Sequence, residues 1–309
     1  LKGEKGFALV ITLVVSALLV ALTAEFINEV FVDTTLRQSY VSGQQASVLA
    51  DSGVTGAIKL LQFELSAKNY STLRDKWAQP LQIDDDQGSL EITIEDEARR
   101  LNLNNIAPPS GEFENNFYYG AAVRLLKKLG LAPEMLDAVA DWMDENDEPH
   151  PAGAETSYYS TLKPPYASKN GRFETVEELA MVKGFSGKPL LLLKPFVTVY
   201  SDQPNAPAAP VNINTAPREV LYSLDEKMSD DLVKRIIDYR TVTPFKYAAE
   251  LAKVPGLESI STGLQTRITT SSLVYRIRSQ ARVKDTSRLI ECVVRISGNQ
   301  STVLYWREY

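Results

Sequence analysis

Residues 6–24 read GFALVITLVVSALLVALTA, and the uncharged apolar run within them, Phe7 to Ala24, is 18 residues long. As helix it would extend roughly 27 Å, close to the thickness of a bilayer's hydrocarbon core. Lys2 and Lys5 precede the run, whereas Glu25, Glu29 and Asp33 follow it before the next base, Arg37. By the positive-inside rule the N-terminus stays in the cytoplasm and the rest is exported. A secretory signal peptide would give way to polar residues and a small-residue cleavage site. Here EFINEVFVDTTL (25–36) carries the apolar positions onward in helical phase, so the run is read as the start of a longer helix. A plain signal anchor is the simpler alternative.

The helical pattern persists to about Leu65. Phe26 and Val30, then Ala50, Val54, Ala57, Leu61 and Leu65, recur at three- and four-residue spacing and mark one apolar stripe. Small residues (Ser42, Gly43, Ala46, Ser47, Gly53, Gly56) interrupt it. They permit close approach of another backbone at some cost in helix propensity. One helix over 7–66 is expected, its segment 7–24 in the membrane and its upper part packed on a globular head.

The junction Lys5-Gly6-Phe7, a short basic leader ending in Gly before Phe and an apolar helix, resembles a prepilin signal. Major pilins and pseudopilins carry Glu at the fifth position after the Gly; here that position is Ile11. In lacking this Glu the chain resembles the K minor pseudopilins of type II secretion. The resemblance implies cleavage between Gly6 and Phe7 by prepilin peptidase, loss of a 1–6 leader and N-methylation of Phe7. It implies the bacterial inner membrane, with a periplasmic C-terminal domain. Its partners would be the I and J minor pseudopilins, the major pseudopilin and the inner-membrane secretion platform. Phe7 and Ile11 are the expected filament-assembly residues. A fifth-position Glu in an apolar filament core would cost several kcal/mol unpaired and is expected to meet the amine of the subunit above. Ile11 needs no such neighbour, while the amine of Phe7 can receive the Glu of the subunit below, so the subunit is expected to cap the pseudopilus tip and initiate its assembly for export of folded proteins.

The 309 residues suffice for one large or two ordinary domains beyond the anchor, and 44% hydrophobic with 23% charged residues is an ordinary globular balance. The net charge of −6 gives no general attraction to nucleic acid or anionic lipid. The single cysteine, Cys292, has no intrachain partner and lies in LIECVVRI, which alternates like a strand. A buried structural thiol is expected there.

Periodicity is lost over 66–87, and Asp84-Asp85-Asp86-Gln87-Gly88 reads as a solvated acidic turn. Ser89 to Glu95 then alternates as a half-buried strand. A diverged repeat follows. LNLNNIAP (101–108) matches VNINTAP (211–217), pairing Asn102 and Asn104 with Asn212 and Asn214. GRFETVEELAMVKGF (171–185) matches TPFKYAAELAKVPGL (243–257), so that Phe173, Glu178, Leu179, Val182 and Gly184 pair with Phe245, Glu250, Leu251, Val254 and Gly256 at one constant offset. The unit resembles the helix-hairpin-helix family. A membrane-tethered DNA-binding protein of an uptake machine is therefore the alternative function. Against it, Val211 to Thr270 holds eight bases and eight acids, leaving no net charge to release counterions. The hairpins also lack the second glycine of the DNA-binding form, having Phe185 and Leu257 followed by Ser186 and Glu258. No nucleic acid partner is expected.

Pro189 to Pro210 reads as a joint, with PFVTVYS (195–201) alternating like a strand and a Pro-rich connector over 202–210. After Thr270 the period becomes two, and 271–283, 287–297 and 301–308 read as three antiparallel strands. The fold class is α+β: a pilin-like N-terminal helix and antiparallel sheet with a large inserted α-helical domain. Head segments are expected over 67–100 and 271–309, and the insertion over 101–270, as units of about 101–188 and 211–270 joined by 189–210. This order matches the architecture of the K pseudopilins along the whole chain.

From Glu134 to Glu155 there are eight carboxylates (Glu134, Asp137, Asp141, Asp144, Glu145, Asp147, Glu148, Glu155) and neither Lys nor Arg. Such crowding needs a cation or abundant water, and oxygen ligands of flexible geometry suit Ca2+. Counted from Asp144, Asn146, Glu148 and Glu155 fall at loop positions three, five and twelve of an EF-hand, but Pro149 replaces its glycine, so the loop is not one. Asp144, Asp147 and Glu155 are the expected main ligands, with Asp141 and Asn146 next. His150, the only histidine, is expected as an exposed loop residue, since zinc would want more nitrogen or sulfur. No catalytic constellation stands out, and no enzyme activity is expected.

Overall fold

The apolar run opens α1 (Glu4–Ala67), an unbroken helix of 64 residues in a computed structural model that describes residues 4–86, 88–107, 116–203 and 209–309. Among the described residues it is the one helix long and apolar enough to span a membrane. Residues 1–3, Gln87 and Pro108 from the motifs above, and 204–208 of the Pro-rich connector lie outside the described residues. After α1 come β1 (Leu81–Asp85), β2 (Gly88–Asp96) and β3 (Leu101–Asn102), then α2 (Phe117–Lys128), α3 (Met135–Met143), α4 (Thr156–Tyr159), α5 (Lys188–Leu193) and β4 (Val197–Thr198). The remainder is β5 (Val211–Asn212), α6 (Arg218–Ser223), α7 (Asp230–Val242), α8 (Glu258–Leu264), β6 (Ile268–Thr269), β7 (Val274–Val283), β8 (Thr286–Ser297) and β9 (Gln300–Glu308).

The main sheet is antiparallel throughout, in the order β1-β2-β7-β8-β9. Its inward positions alternate as a two-residue period requires: Leu90, Ile92 and Ile94 from β2, Ile277 and Ala281 from β7, and Ile290, Cys292, Val294 and Ile296 from β8. The upper stripe of α1 (Ala50, Val54, Ala57, Leu61) covers this face. Cys292 is fully buried, and burial pushes its thiol up to about 12, an inert structural group. Strand β1 has no counterpart in the sequence reading. It is an edge hairpin partner in which a single residue, Leu81, is even half covered, so it buries too little to leave an apolar signature.

Gly53 sets how closely α1 approaches the sheet. A Cβ there would lie 2.2 Å from Ser279 Oγ and 3.0 Å from Leu90 Cδ1. In Gly53→Ala the overpacking cost of about 1–3 kcal/mol outweighs a helix-propensity gain of about 1 kcal/mol, so thermal melting shifts downward. Gly56, with nothing within 4 Å of its Cβ position, is the control, and Gly56→Ala melts slightly higher.

The region between the sheet's two sequence segments has two similar halves, each with its own core. In the first, Asn102 Oδ1 accepts from Asn104 N at 2.9 Å, and the Asn104 side chain exchanges two bonds with the Phe173 backbone (2.9 and 2.8 Å). In the second, Asn212 accepts from Asn214 N at 3.0 Å, and Asn214 exchanges two bonds with the Phe245 backbone (2.8 and 3.0 Å). Gly184 and Gly256 both have φ +89°, a conformation open mainly to glycine. The segments before them, Val176–Met181 and Ala248–Lys253, are 3-10 turns. The strand expected over 195–201 shrinks to β4, paired in parallel with β3; β5 pairs likewise with β6. Beyond β4 the chain is held by side chains instead, Asn102 Nδ2 donating to Tyr200 O at 2.8 Å.

Candidate metal centre

Helix α3 places Asp137 and Asp141 one turn apart and ends at Asp144, with no basic residue in its last turn. Carboxylates at a helix C-terminus oppose its dipole. The following loop turns back over them. Asn146 N donates to Asp144 Oδ1 at 3.2 Å and Glu148 N to Asn146 Oδ1 at 2.7 Å. His150 N reaches both oxygens of Asp141 (3.2 and 3.3 Å), and Ala152 N reaches Asp137 Oδ2 at 3.0 Å. Gly153 makes the return possible, because a Cβ there would lie 1.9 Å from Asp141 Oδ2. The loop closes on itself where Gly171 N donates to Trp142 O at 3.3 Å. In the second half α7 runs to Val242, just before the matching Thr243, so 144–170 is an addition peculiar to the first.

Asp141, Asp144 and Glu155 are buried at 0%, 0% and 1% exposure, whereas Asn146 and Asp147 are exposed on the loop. His150 is not the free loop residue expected from sequence. It is half-buried, and its Nδ1 is hydrogen-bonded to Asp141 Oδ1. Together with the bonds from its backbone N, this contact fixes how Asp141 presents its oxygens. Ligand atoms of Asp141, Asp144 and His150 lie within 4.8 Å of one another.

Three side chains here hold buried oxygens with no hydrogen-bond partner: Asp144 Oδ2, both oxygens of Glu155, and Asn170 Oδ1. Asn170 was not singled out by sequence. It lies beyond the acid-rich stretch, at φ +48°, with its amide against Asn146 O at 3.4 Å. Burial raises the Asp144 carboxyl, and Asp141 adds to the rise. Burial likewise pushes Glu155 up to about 7, with Asp141, Asp144 and Asp147 adding. Orphaned buried acceptors of this kind fit an oxygen-seeking cation, although the ligand atoms that lie within 4.8 Å of one another are those of Asp141, Asp144 and His150, without Glu155.

Gly6, Phe7 and Ile11 lie elsewhere, on the exposed, apolar start of α1.

A long helix, apolar enough at its start to span a membrane and packed at its upper part on an antiparallel sheet, with a two-part helical region between the sheet's sequence segments, fits a protein of the pseudopilin class. The family models for "Type II secretion system (T2SS), protein K" match residues 99–202 and 211–271. The chain belongs to that family, and it is a minor pseudopilin of the type II secretion system. It is 29% identical to type II secretion system protein K of Pseudomonas aeruginosa over 267 residues, covering 82% of this chain and 77% of that one. With the protein of the same name from Aeromonas hydrophila the identity is 28% over 331 residues, covering 98% and 96%. The fold is similar to a chain in the crystal structure of the GspK-GspI-GspJ complex of enterotoxigenic Escherichia coli, with a TM-score of 0.76, 21% identity, and coverage of 90% and 99%. This assignment displaces the DNA-binding alternative.

Proposed function

We propose that this subunit caps the pseudopilus tip together with I- and J-type minor pseudopilins and helps initiate assembly of the filament below it. Ile11 carries the reading: it removes the carboxylate that would need an amine above, while the amine of Phe7 after cleavage at Gly6 can still receive one from below. The bulky region between Leu101 and Thr270 agrees, since it would crowd lateral neighbours in a shaft but not at an end. The relative of known structure is described in complex with GspI and GspJ, which supports those partners here.

In this reading prepilin peptidase removes 1–6, Phe7 is N-methylated, and α1 sits in the inner membrane with its N-terminus cytoplasmic, beside the secretion platform and the major pseudopilin. The two halves of the insertion are duplicated helix-hairpin-helix-like units used for packing and protein contact, and the role is assembly rather than catalysis. Calcium is held by Asp141, Asp144 and Glu155, with Asn170 and the outer Asn146 and Asp147 completing the oxygen set. Site-specific crosslinking tests the position. Cys probes near Phe7 and Ile11 should trap a major or minor pseudopilin on one side only; trapping between two major pseudopilins along the shaft would refute capping.

A further inference from the structure

The acidic loop contains neither Lys nor Arg between Glu134 and Glu155, yet a lysine reaches it from the next element of the fold. Lys183 stands directly before Gly184, in the tight turn that ends the first repeat unit. Its ammonium donates to Ala152 O at 3.2 Å and Gly153 O at 2.8 Å, and sits 5.2 Å from the centre of the Tyr158 ring. Its backbone N donates to the hydroxyl of the fully buried Tyr159 at 3.2 Å. Tyr158 and Tyr159 follow Glu155 within one turn. Lys183 is thereby fastened on both sides of Glu155.

We infer that Lys183 is a positioning residue for the cation site, a latch that holds the loop backbone so that Asp141 and Glu155 face one point. The inference rests on the calcium reading given above. Two opposite effects of a nearby ammonium must be weighed. As a charge it would repel a cation and weaken binding; as a donor it orders the chain that presents the ligands. The geometry favours the second, because both bonds go to carbonyls rather than to carboxylates. Those carbonyls flank the one position where Asp141 demands a glycine: the Gly153 backbone runs so close to Asp141 Oδ2 that a Cβ would overlap it. A shift of that backbone moves Asp141. The second repeat unit supports the assignment by contrast. It has no added loop, and Pro255 stands where the first has Lys183, so a donor is present where there is a loop to hold.

The test is Ca2+ titration of the full chain in detergent, by calorimetry and by thermal melting, for wild type, Asp144→Ala, Lys183→Ala and Lys183→Arg. Lys183→Ala should weaken Ca2+ affinity by about 10- to 100-fold, the usual loss when a group holding metal ligands is removed. Lys183→Arg, which keeps the donor and the charge, should recover most of it. The melting temperature in chelator should change far less than the Ca2+-dependent rise, which separates latching from a general structural role. If wild type binds Ca2+ and Asp144→Ala does not, but Lys183→Ala binds within twofold of wild type or more tightly, the latch is overturned. An equal drop with and without Ca2+ overturns it too. If wild type itself shows no binding, the calcium reading fails, and the latch with it.

Discussion

Replacing Arg276 by Ala should cost about 3–5 kcal/mol, the typical result of removing one partner from a buried ionic group. That is a fall of order 10 °C in melting temperature. Arg276 joins the sheet to the inserted region. Its Nε donates to Glu97 Oε1 at 2.6 Å, and its Nη1 to Glu291 Oε1. Glu97 is fully buried and also holds Arg100 at 2.9 Å and the Thr198 hydroxyl of β4. Arg278 completes the group on Glu291 at 2.9 Å. Burial alone would raise the Glu97 carboxyl, but Arg100 and Arg276 overcome it and hold it below the ordinary value of 4.5; burial acts likewise on Glu291 and is overcome by Arg276 and Arg278.

Carboxyls lowered in the folded state stabilise it above the unfolded value and lose that contribution as pH falls through the folded one. The wild type should therefore lose stability in acid below about pH 4.5, and Arg276→Ala should lose less there, having less to give up. Replacing Arg276, Glu97 and Glu291 together by Met, Gln and Gln should restore much of the loss, because no charge is then left buried alone. A single Arg276→Ala that melts with the wild type at neutral pH would show that water already solvates the group.

Removing calcium should be the other large effect. At 100 times its dissociation constant a ligand specific to the folded state adds about 2.7 kcal/mol, so chelator should lower the melt by several degrees. The size of the effect should depend on pH. In the ion-free protein burial pushes the Glu155 carboxyl from 4.5 up to about 7. A carboxyl raised by folding favours the folded state while protonated; that contribution is complete below 4.5 and is lost as pH rises through about 7. The chelated protein should become less stable across this window, and the gap between melts with and without Ca2+ should widen from pH 5 to pH 8. Glu155→Gln should flatten the chelated profile and abolish most of the gap. Identical melts in Ca2+ and chelator at pH 8, from protein shown to be metal-free, would remove the site.

What could be read from the chain by itself was whatever depends on neighbours in sequence. The anchor is a composition of consecutive residues. The stripe of Ala50, Val54, Ala57 and Leu61 is a helical period, and β2, β7, β8 and β9 are two-residue periods. The acid-only stretch from Glu134 to Glu155 is a local charge imbalance that no folding can hide. The Asn102/Asn104 and Asn212/Asn214 pairs were visible as repeated letters, although their bonds to Phe173 and Phe245 were not.

Tertiary structure decided the rest. Glu97, Arg276 and Glu291 carry no local signal, since Glu97 and Arg276 stand 179 residues apart and each looks like an ordinary surface charge in its own strand or turn. Which acids are buried depended on which way the loop turned: Asp147 and Asn146 are exposed, while Asp141, Asp144 and Glu155 went inside. Gly153, His150, Asn170 and Lys183 came into contact with the acidic segment only when the 144–170 loop folded back on α3. The physical reason is that desolvation and unmet hydrogen bonds are properties of a place in the fold, and a place exists only after distant segments have been packed together.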